Sequence, residues 1–246
     1  MYALLRAACR VLVRVYLVGI NSVVGREHLP RRGPLLICSN HPSTVDPVVL
    51  PAFVPRGDTW SMAKSEWFDG SRLLARAFGV YHAFPVVRHS PDRRGLRRAR
   101  EVLDQGGALL IYPEGERWTT VGTRGLLKAQ AGAGFLARLT GAPVLPVAIV
   151  GTDLCFPKGA VMPRRRRVEL RFGPPVRVRE RRPDGSRVGN QDAADAIMVA
   201  IARLLPPDLR GAYGDDPALQ ARVEGVLEEV PASGSAVKPR TASTSS

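Results

Sequence analysis

Short apolar runs alternating with segments of helical spacing constrain this chain more than any other feature. PLLICSN at 34–40, DTWSMAK at 58–64, VYHAFPVV at 80–87, GALLIYPEG at 107–115 and APVLPVAIVG at 142–151 read as strands. Between them lie VDPVVLPAF, SEWFDGSRLLARAFG, PDRRGLRRAREVLDQGG and GLLKAQAGAGFLARLTG, which carry helical spacing and in several cases close on glycine. The last of these is rich in small residues, so another element is expected to pack closely on it. RRVELRFGPPVRV adds one or two strands, and NQDAADAIMVAIARLL adds an amphipathic helix. Parallel strands need long crossover connections, and helices supply them. The alternation therefore predicts an α/β fold with a mostly parallel central sheet flanked by helices.

A chain of 246 residues with 45% apolar content can bury one substantial core. The expected organisation is a main domain over 25–207, an acidic segment over 208–230 and a tail from Pro231 that has too little apolar surface to fold. Residues 1–24 form a separate expectation. Arg6, Arg10 and Arg14 recur every fourth position among Leu, Val, Ala and Tyr. That places them on one slowly drifting stripe of a helix. The arginines break any span long enough to cross a bilayer, and no unbroken apolar stretch follows an initial charge as in a signal peptide. The segment is expected to be a basic amphipathic helix lying in a membrane interface, its arginines toward lipid phosphates.

The formal charge is +14, from 36 basic and 22 acidic residues. Such an excess favours anionic partners. Nucleic acid is not expected among them, because no recognition motif is present and the aromatics are not interleaved with the basic runs. Cys9, Cys38 and Cys155 are odd in number and widely spaced, which gives neither a disulfide framework nor a metal site and fits a reducing compartment. The G-x-S-x-G pattern of a serine hydrolase is absent.

Four stretches carry candidate chemistry. In NHPSTVD at 40–46, His41 leaves a strand and Asp46 opens the next helix. Ser43 and Asp46 also fit a capping box, which gives the aspartate a purely structural role. On one helix, positions five apart point in different directions; across a turn they can pair. A carboxylate on one imidazole nitrogen would fix the tautomer and make the other a general base. IYPEGERW at 111–118 runs from a strand into Glu114, Gly115 and Arg117. Glycine permits close backbone approach, and arginine suits a phosphate. AFPVVRHS at 83–90 leaves a strand toward Arg88, and SMAKSEWF places Lys64 at a strand end. Open α/β sheets bind ligands at the carboxyl ends of their strands, and all these residues fall there.

In order and spacing, these motifs resemble those of the glycerolipid acyltransferases, the family typified by 1-acylglycerol-3-phosphate acyltransferases. NHPSTVD resembles the His-x4-Asp motif, AFPVVR the second motif, YPEGER the third (usually Phe-Pro-Glu-Gly-Thr-Arg) and APVLPVAIVG the fourth. The resemblance covers about Gly25 to Pro175. It implies that His41 is the base and Asp46 its partner. It also implies that Arg88, Glu114, Gly115 and Arg117 bind the acceptor, with Lys64 a further phosphate contact. The acceptor would be a lysophospholipid, foremost 1-acylglycerol-3-phosphate, with glycerol 3-phosphate, other lysophospholipids and ornithine-lipid or glycolipid precursors as alternatives. The donor would be acyl-CoA or acyl carrier protein, with no cofactor and no metal, and the protein would sit on the cytoplasmic face of the cell membrane. A non-catalytic basic membrane protein is the competing class. Glu116 departs from the usual threonine. A second carboxylate beside a phosphate site is unfavourable, so Glu116 points away, pairs with Arg117 or Arg124, or signals another acceptor.

Overall fold

The computed structural model describes residues 2–12, 19–69, 76, 78–87, 92–157, 159–162 and 164–230. Its strands are β1 (Gly19–Val24), β2 (Leu35–Ser39), β3 (Thr59–Lys64), β4 (Ala83–Val86), β5 (Ala108–Ile111), β6 (Val144–Val150), β7 (Arg167–Phe172), β8 (Val176–Val178) and β9 (Leu227–Glu229). The longer helices are α1 (Tyr2–Leu12), α2 (Asp46–Phe53), α3 (Arg93–Asp104), α4 (Gly132–Thr140), α5 (Asn190–Ala202) and α6 (Pro217–Val223).

The sheet order is β1-β7-β6-β2-β5-β3-β4, with β8 and β9 added beside β6. Strands β6, β2, β5, β3 and β4 run parallel, and β7 and β8 run antiparallel to β6. The predicted α/β architecture is therefore the observed one. Central β2 is buried along its whole length. Its alternating side chains feed two cores. Leu36 and Cys38 face α3, α4 and α5, while Leu35 and Ile37 face α2. A strand covered on both faces reads as a continuous apolar run, which is why PLLICSN is so legible.

Pro146 stands inside β6, where a missing N–H would normally break the ladder. Its carbonyl accepts from Gly173 N–H at 2.9 Å, so the missing donor faces the same side. On that side β7 pairs only from Val147 onward, and β8 pairs at Val144. The proline thus occupies the gap between two partner strands.

The N-terminal expectation is corrected in two respects. Gly19–Val24 is not helical: it is an edge strand pairing in parallel with β7 across a bulge between Ile20 and Ser22. Its β-branched residues find a partner only because β7 is brought alongside, which no local pattern reveals. In α1, Arg10 is half-buried and donates from Nε to the Ala52 carbonyl at 2.7 Å, while Leu4 and Val11 are 78% and 62% exposed. The helix turns this arginine toward α2 and apolar side chains outward. Arg14 and the tail from Pro231 lie outside the described residues. No helix among the described residues is long and apolar enough to cross a membrane.

The acidic segment over 208–230 is not set apart from the main body. Leu209, Tyr213, Leu219, Val223 and Val226 enter the same core as α5. Arg222 pairs with Asp192 and Asp195 of α5 at 2.9 and 2.8 Å, so charge complementarity draws the segment onto the helix. The small residues of α4 also have their expected partner. A Cβ on Gly134 would lie 2.0 Å from the Asn190 carbonyl oxygen and 2.6 Å from the Ala194 nitrogen of α5. Both obstacles are backbone, so the helices must separate to admit one methyl group. Gly134→Ala is expected to destabilise the fold by roughly 1–3 kcal/mol, read as a lower urea midpoint. An unchanged midpoint would show that α4 and α5 do not meet this closely.

Candidate active site

The parallel strands deliver their loops to one edge of the sheet. His41 follows β2 and Asp46 opens α2. The Asp46 Oδ2 atom lies 2.8 Å from His41 Nδ1 and also accepts the Ser43 N–H at 2.7 Å. His41 is 3% exposed and Asp46 fully buried. The hydrogen bond assigns the proton to Nδ1 and leaves the Nε2 lone pair as the proton acceptor. The capping box forms only in half: the carboxylate reaches back to the Ser43 backbone, but the residue at the cap position is Val45 and no side chain caps the helix. Cap and pair are one device, since the Ser43 N–H helps hold the oxygen that holds His41.

The imidazole is fixed from its face as well. The Tyr112 ring stacks on it with centroids 4.0 Å apart and planes 17° from parallel. Burial pushes the Tyr112 phenol well above its ordinary range, and the Asp46 carboxylate adds to the effect. The phenol is thus neutral, an apolar wall with a hydroxyl at its edge. Sequence reasoning passed over Tyr112. The signal available was an aromatic residue where the motif usually has Phe.

Glu114 is placed differently from the expectation of an acceptor contact. It is 2% exposed, and three protein donors converge on it. Its Oε1 accepts the His41 N–H at 2.8 Å, and its Oε2 accepts the Trp118 indole N–H and the Leu127 N–H, each at 2.8 Å. Burial pushes its carboxyl up to about 7, against the lowering effect of those donors. Glu114 therefore binds the first motif to the third, with both carboxylate oxygens engaged by protein donors. Gly115 makes the turn at a φ of 71°, where a Cβ would sit 3.2 Å from Gln130 Cγ. That left-handed conformation strains any other residue type.

Arg117 is the cation brought to the pair. It is half-buried, its Nη1 donates to Thr44 Oγ1 at 2.9 Å and its Nε to Thr120 Oγ1 at 3.0 Å. Among the described residues it makes no ion pair with a carboxylate. Its charge is held in place by neutral hydroxyls, which suits a guanidinium that takes an anionic ligand. Thr44 lies between His41 and Asp46 in sequence, so this bond sets Arg117 against the loop that carries the pair. Arg124 pairs with Asp153 at 2.7 Å, and Lys64 pairs with Glu66 at 2.8 Å. Lys64 thus already has a carboxylate partner at the end of β3. Arg88 lies outside the described residues.

Asn40 was also passed over. Its amide donates to the Ile149 carbonyl at 2.8 Å and accepts the Ile149 N–H at 2.7 Å, which clamps the end of β2 to β6. Among the described residues no group of His, Cys, Asp and Glu could hold a metal ion.

A family model described as Acyltransferase matches residues 21–150. The 1-acyl-sn-glycerol-3-phosphate acyltransferase of Limnanthes alba is 28% identical over 168 residues, 66% of this chain and 57% of that protein. A 1-acyl-sn-glycerol-3-phosphate acyltransferase of Chlamydomonas reinhardtii is 27% identical over 195 residues, 77% of this chain and 54% of that protein. The chain thus spans a little over half the length of these curated relatives. The crystal structure of the 1-acyl-sn-glycerophosphate (LPA) acyltransferase, PlsC, from Thermotoga maritima has a similar fold. Its TM-score is 0.63 at 23% identity, covering 82% of this chain and 79% of that one.

Glu114→Gln tests the positioning role. Glutamine presents one acceptor oxygen and one donor amide to three N–H groups, so one buried donor loses its partner. The expected cost is about 1–3 kcal/mol in urea unfolding. In turnover, kcat is expected to fall while the acceptor KM stays near the parent value. A raised acceptor KM at unchanged kcat would return Glu114 to the substrate.

Proposed function

The chain belongs to the acyltransferase family, and from that premise we propose that it moves a fatty acyl group from a thioester donor to the free hydroxyl of a lysophospholipid. The acceptor proposed first is 1-acylglycerol-3-phosphate, giving phosphatidic acid; the donor is acyl-CoA or acyl carrier protein. The observation that carries the reading is the 2.8 Å contact between His41 Nδ1 and Asp46 Oδ2, with Arg117 bonded to Thr44 of the same loop.

The chemistry follows from that arrangement. His41 Nε2 takes the proton of the acceptor hydroxyl as its oxygen attacks the thioester carbonyl. Asp46 stabilises the imidazolium that forms. As the tetrahedral centre collapses, the carbon–sulfur bond breaks and the thiolate leaves. The imidazolium returns its proton to the sulfur, so the products are an ester and a free thiol. Arg117 holds the acceptor phosphate, which makes the hydroxyl a local reactant rather than a diffusing one. Arg88 joins it in this proposal.

Glu116 is half-buried and makes no ion pair with Arg117 among the described residues, and Arg124 pairs with Asp153, so the Arg117 charge is left for the acceptor in this proposal. The proposed location is the cytoplasmic face of an anionic membrane. The net charge of +14 and the exposed Leu4 and Val11 of α1 support it.

Free-thiol release from acyl-CoA tests the reading, with lysophosphatidate, glycerol 3-phosphate, other lysophospholipids and no acceptor in parallel. His41→Ala is expected to lower kcat by about 10²–10⁴-fold in a protein that still folds cooperatively. Release that persists in this variant would remove His41 as the base. Arg117→Ala is expected to raise the KM of a phosphorylated acceptor by about tenfold or more, leaving the KM for acyl-CoA alone. An unchanged acceptor KM would take Arg117 off the phosphate.

A further inference from the structure

Val161 is 91% exposed, more than any other large apolar side chain among the described residues, and its neighbour Met162 is 75% exposed. Single exposed apolar residues need no explanation. An adjacent pair in a loop, followed one residue later by a run of arginines, does. Arg164, Arg165 and Arg166 are exposed and make no ion pair with a carboxylate among the described residues, whereas Arg167 is already paired with Glu169 at 2.9 Å.

The protrusion has a fixed base. Arg164 N–H donates to the Cys155 carbonyl at 2.7 Å, and Ala160 N–H closes a turn on the Pro157 carbonyl at 3.0 Å. Cys155 is 1% exposed, so the base is anchored in the core. Strand β6 runs parallel to β2, so the connection after β6 leaves the sheet by the same edge as the loop that carries His41. The connection through β6 is direct as well, since Asn40 next to His41 bonds Ile149 near the strand end from which this loop departs.

We infer that Val161 and Met162, with Arg164, Arg165 and Arg166, form a docking loop that seats the active-site edge of the sheet on an anionic lipid surface. The two apolar side chains enter the boundary between headgroups and acyl chains, and the three guanidinium groups meet lipid phosphates. The pairing of apolar tip and basic flank selects this partner. A nucleic acid would satisfy the arginines but would gain nothing from an exposed Val–Met pair, and among the described residues of the loop no fully exposed aromatic ring accompanies them to stack a base. The assignment stands on the loop's own geometry. That docking presents a lipid acceptor to His41 rests on the function proposed above.

The test uses the full chain and flotation with vesicles of pure phosphatidylcholine or mixed phosphatidylcholine and phosphatidylglycerol. Val161→Ser with Met162→Ser is expected to lower partition into mixed vesicles by about tenfold. Gln at positions 164, 165 and 166 is expected to lower it by about fivefold per arginine on mixed vesicles, and not on phosphatidylcholine alone. In a Met162→Trp variant, added indole fluorescence should be quenched by brominated lipids. Partition equal to the parent in both multiple variants overturns the docking loop, as does an indole that brominated lipid leaves unquenched. Tighter binding of a short DNA duplex than of mixed vesicles, lost with the arginines but not with Val161 and Met162, overturns it in favour of nucleic acid. Thiol release from detergent-dispersed acceptor, run on the same variants, separates the two readings. Loop-dependent flotation upholds docking even where no acceptor supports release. Loop-independent flotation overturns it even where His41-dependent release is intact.

Discussion

One buried carboxylate holds the active-site edge together. Glu114 accepts N–H donors from His41, Trp118 and Leu127, which come from the loop after β2, the loop after β5 and the extended segment before α4. Each donor would otherwise be a buried N–H without a partner, and such a group costs as much as a lost hydrogen bond or more. The extended segment is secured in turn from the far side. Leu126 N–H bonds the Leu209 carbonyl, and Ala129 N–H bonds the Tyr213 hydroxyl, which donates to Asp195 at 2.7 Å. A chain of bonds thus runs from the C-terminal segment through Glu114 to the backbone of His41.

At His41 that chain meets two further contacts. The imidazole has a carboxylate on one edge, a tyrosine ring on its face and its own backbone N–H tied to Glu114. In the proposed function a base of this kind acts on a substrate brought to it, and preorganisation is how a fixed group contributes to rate. Arg117 is held to the same standard by Thr44. By contrast, Val161, Met162 and the arginines at 164–166 are exposed beyond a pinned base.

The site was legible in part. The His41–Asp46 pair could be read from NHPSTVD because five residues across a strand-to-helix turn are a local arrangement, and local arrangements leave patterns. Arg117 was legible through YPEGER. The role of Glu114 was not, because its burial depends on Trp118 folding back and on Leu127 arriving from a segment whose helix starts only at Gly132. Tyr112 and Asn40 were overlooked for the same reason: each acts on a residue of another strand. Arg10 had the right spacing for a lipid-facing stripe, yet the Ala52 carbonyl at the end of α2 claimed it.

By itself the sequence determined the alternation of strand and helix, the two-sided burial of β2, the order of the motifs and their place at the strand ends. These follow from hydrophobic period and turn chemistry, which act over a few residues. Tertiary structure alone decided that Gly19–Val24 becomes a strand, that β7 runs antiparallel to β6, that the 208–230 segment joins the core, and that Glu114 gathers three N–H groups of the protein. Those outcomes depend on partners far away in the chain: 73 residues separate Glu114 from His41, and 109 separate Asn40 from Ile149. A buried polar group takes whichever partner the packed fold brings within reach, and no window of sequence contains that choice.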